Sequence, residues 1–205
     1  MKAVAARGAK TRDKVSLDGD VRREIFEAAT ACFERFGIRR TTMDDVADAA
    51  SVSRKTVYNY FENKNSLISE VIEHEARRVA NEARDRLALD LAPAEQIVEA
   101  ELALLDAARR SPYVHMLLGP DALTLTAEVV DHSARIMQVE RDYWNPILER
   151  LRDAGHLRVN DLVELVEWLT FFHFVLVARP ATFDGTEQRT REMLHRYLTP
   201  AIVEQ

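Results

Sequence analysis

A short run of residues near the N-terminus concentrates the side chains that could contact a charged partner. Between residues 53 and 64 the sequence is SRKTVYNYFENK, which combines cations, hydroxyls, amides and two tyrosines. Side chains with paired donors or acceptors recognise base edges in the major groove of a duplex, and cations and hydroxyls bind phosphates. The segment therefore predicts a DNA-binding surface, with an ordinary polar helix face as the alternative.

The order of these residues suggests which of them contact bases and which contact phosphates. A recognition helix points its N-terminal residues at base edges, which makes Arg54, Lys55 and Thr56 the candidates for base contacts. The residues that follow are better placed for the phosphate backbone: Tyr58, Asn59 and Lys64.

Two short helices must position this segment. Thr41 and Thr42 offer hydroxyl caps for a first helix, and Ser53 offers a cap for the second. Ser53 also belongs to the predicted DNA-contacting set. Two short helices joined by about three residues predict a helix-turn-helix. Ser51 falls where the turn requires a left-handed backbone, and glycine there would be more stable by about 1 kcal/mol.

Residues 20–72 resemble the DNA-binding domain of the tetracycline-repressor (TetR) family of transcriptional regulators, above all in FGIRRTTMDDVADAASVSRKTVYNYFENKNSL. Val52-Ser53, Thr56-Val57-Tyr58, Tyr60-Phe61 and Lys64 match the family pattern V-S-x-x-T-[LV]-Y-x-[HY]-F-x-x-K. The resemblance implies phosphate contacts from Thr42, Tyr58, Tyr60 and Lys64, and base contacts from Arg54, Lys55 and Thr56. Lys55 and Ser51 stand where many members have glycine, and Asn59 also departs from the residues often seen at its position.

The same resemblance implies an all-helical homodimer whose C-terminal domain binds a small effector. Effector binding would change the separation of the two recognition helices. We therefore expect a sequence-specific regulator, a repressor released from a palindromic operator on double-stranded DNA by a small apolar effector. The alternatives are a non-specific DNA-binding protein and a helical carrier of lipids or other small molecules.

The composition and the helical periodicity predict that the whole chain is all-α. Helical spacing of apolar residues predicts about nine helices, beginning with one from Asp20 that ends at Gly37. Residues 1–64 carry a net charge of +3 and residues 65–205 a net charge of −9, so the two parts have different partners. We expect a basic disordered arm at 1–19, a helix-turn-helix domain at 20–64 and an effector-binding and dimerisation domain at 65–205.

The C-terminal part offers candidates for both remaining roles. The resemblance implies dimerisation through the last two long helices, 160–178 and 186–197, and the first of these is apolar on nearly all sides, as a helix buried from several directions is. The candidate interface residues are Trp168, Leu169, Phe172, Leu194 and Tyr197, with ordinary burial within a monomer as the alternative. An effector pocket is expected near the helix kinked by Pro146, lined by Tyr113, Met116, Met137, Trp144, Phe171 and His173, with plain core packing as the alternative for each residue.

Several function classes are disfavoured by the sequence. The nucleophile-elbow, P-loop and dinucleotide-binding motifs are absent, and the histidines are scattered, so we expect no enzyme, no metal and no cofactor. Cys32, the single cysteine, fits a reducing compartment. The longest apolar stretch, 169–178, is shorter than the roughly 20 residues of a membrane span, and no secretion signal precedes it. We therefore expect a cytoplasmic protein.

Overall fold

A computed structural model describes residues 2–88, 90–118, 134–178 and 186–204, with the backbone alone described at 2–18, 115 and 118. These residues form helices, and the all-α fold predicted from the sequence is confirmed. Among the described residues the only extended pairing is a bridge between Leu157 and Val203. The helices are α1 (Lys2–Phe36), α2 (Met43–Ala49), α3 (Arg54–Tyr60), α4 (Lys64–Arg84), α5 (Pro93–Arg110), α6 (Pro112–Leu118), α7 (Ala134–Asp153), α8 (Leu162–Ala178), α9 (Glu187–Met193) and α10 (Thr199–Ile202).

The chain divides into two compact units, residues 1–71 and 72–205. In the first unit, apolar residues at helical spacing on α1 pack with α2, α3 and the start of α4. The buried side chains of this core include Ile25, Ala29, Phe33, Val46, Val57, Phe61, Leu67 and Ile68. This core fixes the orientation of the two short helices.

The first helix ends as predicted and begins earlier than predicted. Gly37, at φ +81°, follows α1 and its amide donates to the carbonyl of Phe33 at 2.9 Å. The helix starts at Lys2, whereas the sequence predicted a disordered arm over 1–19 and a helix start at Asp20. Alanine, lysine and arginine are frequent in 2–14 and favour helix, which gives the longer helix a physical basis. A role for this arm on DNA stays a prediction.

The second unit is built around α5, whose sides contact α6, α7, α8 and the C-terminal helices. Tyr143 and Trp144 of α7 are fully buried, and the hydroxyl of Tyr143 donates to the carbonyl of Ala100 at 2.9 Å. Helix α7 continues through Pro146. In the described ranges, no helix has the length and hydropathy needed to cross a membrane.

Of the two C-terminal helices, the last differs from its prediction. Helix α8 buries Leu165, Val166 and Leu169 but exposes Phe171 by 67%, so its apolar residues are not all covered within one chain. The segment predicted as one helix over 186–197 is α9 followed by a wider π-helical turn over Leu194–Leu198 and then α10. Pro200 has no amide hydrogen to donate to the preceding turn, which agrees with this change of pitch.

Candidate nucleic-acid interface and ligand cavity

A tight turn joins α2 to α3. The amide of Ser51 donates to the carbonyl of Asp48 at 3.1 Å, and the amide of Val52 donates to the carbonyl of Ala47 at 3.0 Å. Ser51 has φ +55°, the left-handed conformation predicted for it, and it is the one non-glycine residue in the described chain with positive φ. Ala47 is buried where α2 and α3 meet, which lets the two helices approach closely. The two helices therefore form the expected helix-turn-helix.

Hydroxyl caps hold both short helices at their start. The Thr42 hydroxyl accepts from the amide of Asp45 at 3.2 Å and donates to its carboxylate at 2.7 Å, while the Thr42 amide donates to the same carboxylate. These bonds from Thr42, with nearby Lys64, lower the pKa of Asp45. The Ser53 hydroxyl accepts from the amide of Thr56 at 3.0 Å, and the two hydroxyl oxygens lie 2.8 Å apart. Thr42, Ser53 and Thr56 thus have structural roles in the caps.

The two cations at the start of α3 are in different states. Arg54 donates to the carboxylate of Asp44 at 2.8 Å, and its guanidinium lies 5.5 Å from the ring centroid of Tyr58. Lys55 is exposed and makes no ion pair with any residue that the structure describes. Lys55 is therefore available to a partner as it stands, whereas Arg54 must leave Asp44 first.

Lys64 lies at the start of α4 beside the loop that precedes α2. Its ammonium donates to the carbonyl of Arg39 at 3.0 Å. Partial burial lowers the pKa of Lys64, and the opposite charge of Asp45 raises it. The ammonium is fixed near the exposed start of α2, which carries Thr42. Of the other candidates, Tyr58 is 40% exposed, Asn59 is exposed and Tyr60 is half-buried.

Three arginines of this unit were not identified from the sequence. Arg22 of α1 donates to Glu70 from Nε at 3.2 Å and to the carbonyl of Tyr60 at 3.1 Å, so it ties α1 to the end of α3 and to α4. No local pattern shows this contact, because its partners are 38 and 48 positions away. Arg39 and Arg40 are exposed in the loop before Thr42, and as consecutive cations between two predicted helices they could have been found.

The second unit contains a cavity of about 120 Å³. Of the six residues predicted to line a pocket, His173 lines this cavity and Phe171 is exposed. Tyr113, Met116, Met137 and Trp144 are absent from its wall, and Trp144 is fully buried. The adjacent positions Val114, Leu117 and Ile136 line it instead, because a shift of one residue turns a helical side chain by about 100°.

The polar side chains that line the cavity are Glu75, Glu140, Thr170 and His173, and Glu101 of α5 pairs with His173. Nδ1 of His173 on α8 lies 2.9 Å from Oε1 of Glu101 on α5. Burial alone would lower the pKa of His173, but the charge and hydrogen bond of Glu101, with the charge of Glu140, raise it. Glu140 of α7 also lines the cavity, and burial raises the pKa of its carboxyl. The described residues contain no cluster of three side chains suited to a metal ion.

The predicted dimer residues divide into two groups. Leu169 and Leu194 are buried in the core of their own chain. Trp168 and Tyr197 are exposed by 45% and 67%, and Trp168 stacks on the half-buried Phe172 with ring centroids 5.5 Å apart. Exposed Phe171 and Val175 extend the surface around Trp168 along α8.

Comparisons with known proteins agree with this helix-turn-helix. Residues 25–71 match the model of bacterial regulatory proteins of the tetR family. The transcriptional regulator LuxR of Vibrio harveyi is 34% identical over 85 residues, which cover 42% of each chain. The transcriptional repressor KstR2 of Rhodococcus jostii strain RHA1 is 25% identical over 161 residues, 75% of this chain and 76% of KstR2.

The fold extends beyond the matched segment. The crystal structure of RolR in complex with resorcinol aligns with 89% of both chains at a TM-score of 0.66 and 14% identity. The chain spans less than half the length of the first curated relatives that it matches. These relatives are transcriptional regulators, not enzymes, which agrees with the expectation from the motifs. In residues 25–71 the chain is similar to the bacterial regulatory proteins of the tetR family, as the sequence pattern of this segment predicts.

Proposed function

We propose that this chain is a homodimeric, sequence-specific transcriptional repressor that is released from a palindromic operator by a small effector with an apolar body. The observation that carries the proposal is the exposed face of α3, positioned by two capped helices and a left-handed turn. Lys55 on this face is exposed and unpaired with any described residue, so a base edge or phosphate meets a free cation.

Base recognition falls to the start of α3 and phosphate binding to the residues around it. Arg54 and Lys55 can donate to guanine, and Thr56 can contact a base when its hydroxyl turns from Ser53. Thr42, Tyr58, Tyr60 and Lys64 contact phosphates, with Asn59 at the edge of the surface. Ser53 acts chiefly as the helix cap. Arg39 and Arg40 add two exposed charges to the phosphate-binding side.

Dimerisation is assigned to the apolar surface of α8. Trp168, Phe171 and Val175 recur at helical spacing and are exposed in the single chain. Packing this surface against the same surface of a second copy would remove it from water.

Phe171→Glu is expected to shift the chain from dimer to monomer in sedimentation velocity, because it places a charge in that interface. Asn160→Glu, exposed just before α8, is the matched control and should remain dimeric; a dimeric Phe171→Glu would remove this assignment.

The effector is assigned to the cavity of the second unit. Its wall is mainly aliphatic, with Leu104, Ala108, Val114, Leu117 and Ile136 among its residues. A cavity with these walls excludes water and favours an apolar ligand body. RolR, which shares the fold, is known in complex with resorcinol. Release from DNA requires only that the effector bind the released conformation more tightly than the operator-bound one.

Selection from a pool of randomised duplexes at about 150 mM salt tests the proposal, because non-specific phosphate binding is weak at that ionic strength. Enrichment of a palindrome with half-sites one helical turn apart, about 34–36 Å, is the expected result. Retention of all sequences with a steep salt dependence would instead identify a non-specific DNA-binding protein. A chain without DNA affinity that retains a bound small molecule would be a carrier.

A further inference from the structure

The cavity of the second unit has two carboxylates, Glu75 and Glu140, in a mainly aliphatic wall. Glu140 of α7 lines the cavity, and its Oε2 is inaccessible to solvent and has no hydrogen-bond partner among the described residues. An unsatisfied buried carboxylate oxygen is costly, because it has lost water without gaining a donor. Such a group in a cavity wall marks the position where a ligand donor would fit.

The other acidic groups around the cavity already have partners. Glu75 accepts from Arg78 at 2.7 Å and from the hydroxyl of Ser111. Glu101 is fully buried, and its Oε1 is bonded to His173, which gives it a cationic partner when the imidazole is protonated; its Oε2 has no hydrogen-bond partner among the described residues. Glu140 therefore differs from the other two carboxylates, since no described cation bonds to it.

The charges that act on Glu140 do not replace a direct partner. His173 favours its ionised form from a distance, whereas burial and the charge of Glu101 disfavour it. Arg109 of α5 acts on His173, and there it opposes protonation of the imidazole. A ligand cation placed against Glu140 would supply both the missing charge and the missing donor.

The size of the cavity limits the body of such a ligand. A volume of about 120 Å³ is close to that of an engineered apolar cavity of about 150 Å³ that holds benzene. Phe174, Val177 and Leu104 offer apolar contacts to a ring. One ring or a short hydrocarbon chain matches these dimensions.

We propose that the cavity binds a small organic cation, a protonated amine carried on a single apolar ring or short chain, whose ammonium donates to the Glu140 carboxylate. The inference rests on the proposed function only for its regulatory consequence, since binding itself requires no DNA. A neutral hydroxyl would supply a donor to Glu140 but no charge that favours its ionised form. An anion would be repelled by Glu140 and Glu101.

Isothermal calorimetry on the full chain with three probes of similar shape tests the inference: benzylamine, benzyl alcohol and benzoate. Benzylamine is expected to bind at least 10-fold more tightly than benzyl alcohol, and benzoate not at all, because a hydrogen bond between charged groups is stronger than a neutral one. Equal affinity for benzylamine and benzyl alcohol, or binding of benzoate alone, would overturn the proposal.

Two variants of the same helix assign the effect to one carboxylate. Glu140→Gln keeps the shape of the side chain and is expected to weaken benzylamine binding about 10-fold to 100-fold. Glu149→Gln, exposed on α7, loses the same charge away from the cavity and should bind as the natural chain does. Unchanged affinity in Glu140→Gln would contradict the proposal. The three-probe comparison on the natural chain decides the matter even if Glu140→Gln does not fold.

Operator binding separates this inference from the proposed function. If benzylamine binds through Glu140 and the protein–DNA complex persists, the inference about the cavity is supported. The proposal that such a ligand releases the protein from DNA is then wrong. If benzylamine does not bind while the chain still selects a palindrome, the inference fails and the regulator remains. These two measurements share no readout, so one failure does not imply the other.

Discussion

The ion pair between Arg54 and Asp44 leads to a prediction that is not obvious from charge alone. Both side chains are more than half exposed, and the pair must break before Arg54 can reach a base. Exposed pairs contribute about 0.2–1 kcal/mol, so Asp44→Asn should tighten operator binding by about 1.4-fold to 5-fold, a free-energy difference converted at room temperature. The change removes a competitor for the guanidinium and leaves the Thr42–Asp45 cap in place.

Asp48→Asn is the matched control for the charge. Asp48 is exposed on α2, one turn after Asp44, and makes no ion pair with any residue in the described ranges. Fluorescence anisotropy with the selected duplex at two salt concentrations compares the natural chain with both variants. Tightening in Asp44→Asn beyond that in Asp48→Asn is expected. Weaker binding in Asp44→Asn alone would show that Asp44 holds Arg54 in its DNA-contacting position, which refutes the competition argument.

Three further predictions concern DNA contacts, the turn and the buried imidazole. Lys64→Ala should weaken binding to all duplexes and reduce the slope of log affinity against log salt by about 1, whereas Lys55→Ala should change the preferred sequence; filter binding on a duplex panel measures both. Ser51→Gly should stabilise the turn by about 1 kcal/mol because φ is +55°, as measured by hydrogen exchange in α2 and α3. The pKa of His173 is raised on folding, so its stabilising contribution is present below pH 6.5 and lost as pH rises through the folded-state pKa; urea midpoints above pH 6.5 should fall in the natural chain and fall less in His173→Gln.

Each of these predictions has an outcome that contradicts it. Uniform weakening by Lys55→Ala would remove that residue from base recognition. Ala50→Gly, at φ −80°, is the control for the turn and should destabilise it; equal effects at both positions would show that backbone strain at Ser51 is not the cause. A pH profile of His173→Gln identical to that of the natural chain would assign the dependence to another group. The pKa of Glu140 is also raised on folding, so this carboxyl likewise makes the protein less stable as pH rises above 4.5. The pH profile of Glu140→Gln is therefore the second one to compare.

The helix-turn-helix could be predicted because its signals are local. Capping hydroxyls at Thr42 and Ser53, the glycine after α1 and the turn at Ser51 each act within a few residues. The family pattern in α3 then predicts which face of the helix contacts DNA. The same local reasoning cannot show Arg22, whose role depends on partners brought near by the fold.

The cavity of the second unit was harder to predict because its lining depends on helix phase. Tyr113, Met116 and Met137 were selected for their residue types, whereas Val114, Leu117 and Ile136 beside them line the cavity. His173 was identified because a titratable group on an apolar helix is conspicuous. Its partner Glu101 and the cavity residue Glu140 lie on other helices, and their charges are unremarkable in an acidic sequence.

The most direct test of the central claim, that α3 reads sequence, is the ratio of affinities for the selected palindrome and a shuffled duplex of the same composition. The measurement is made by anisotropy at about 150 mM salt, where phosphate binding alone is weak. A ratio of about 1,000-fold or more is expected, as specific DNA-binding proteins show. Equal affinity for the two duplexes would contradict it.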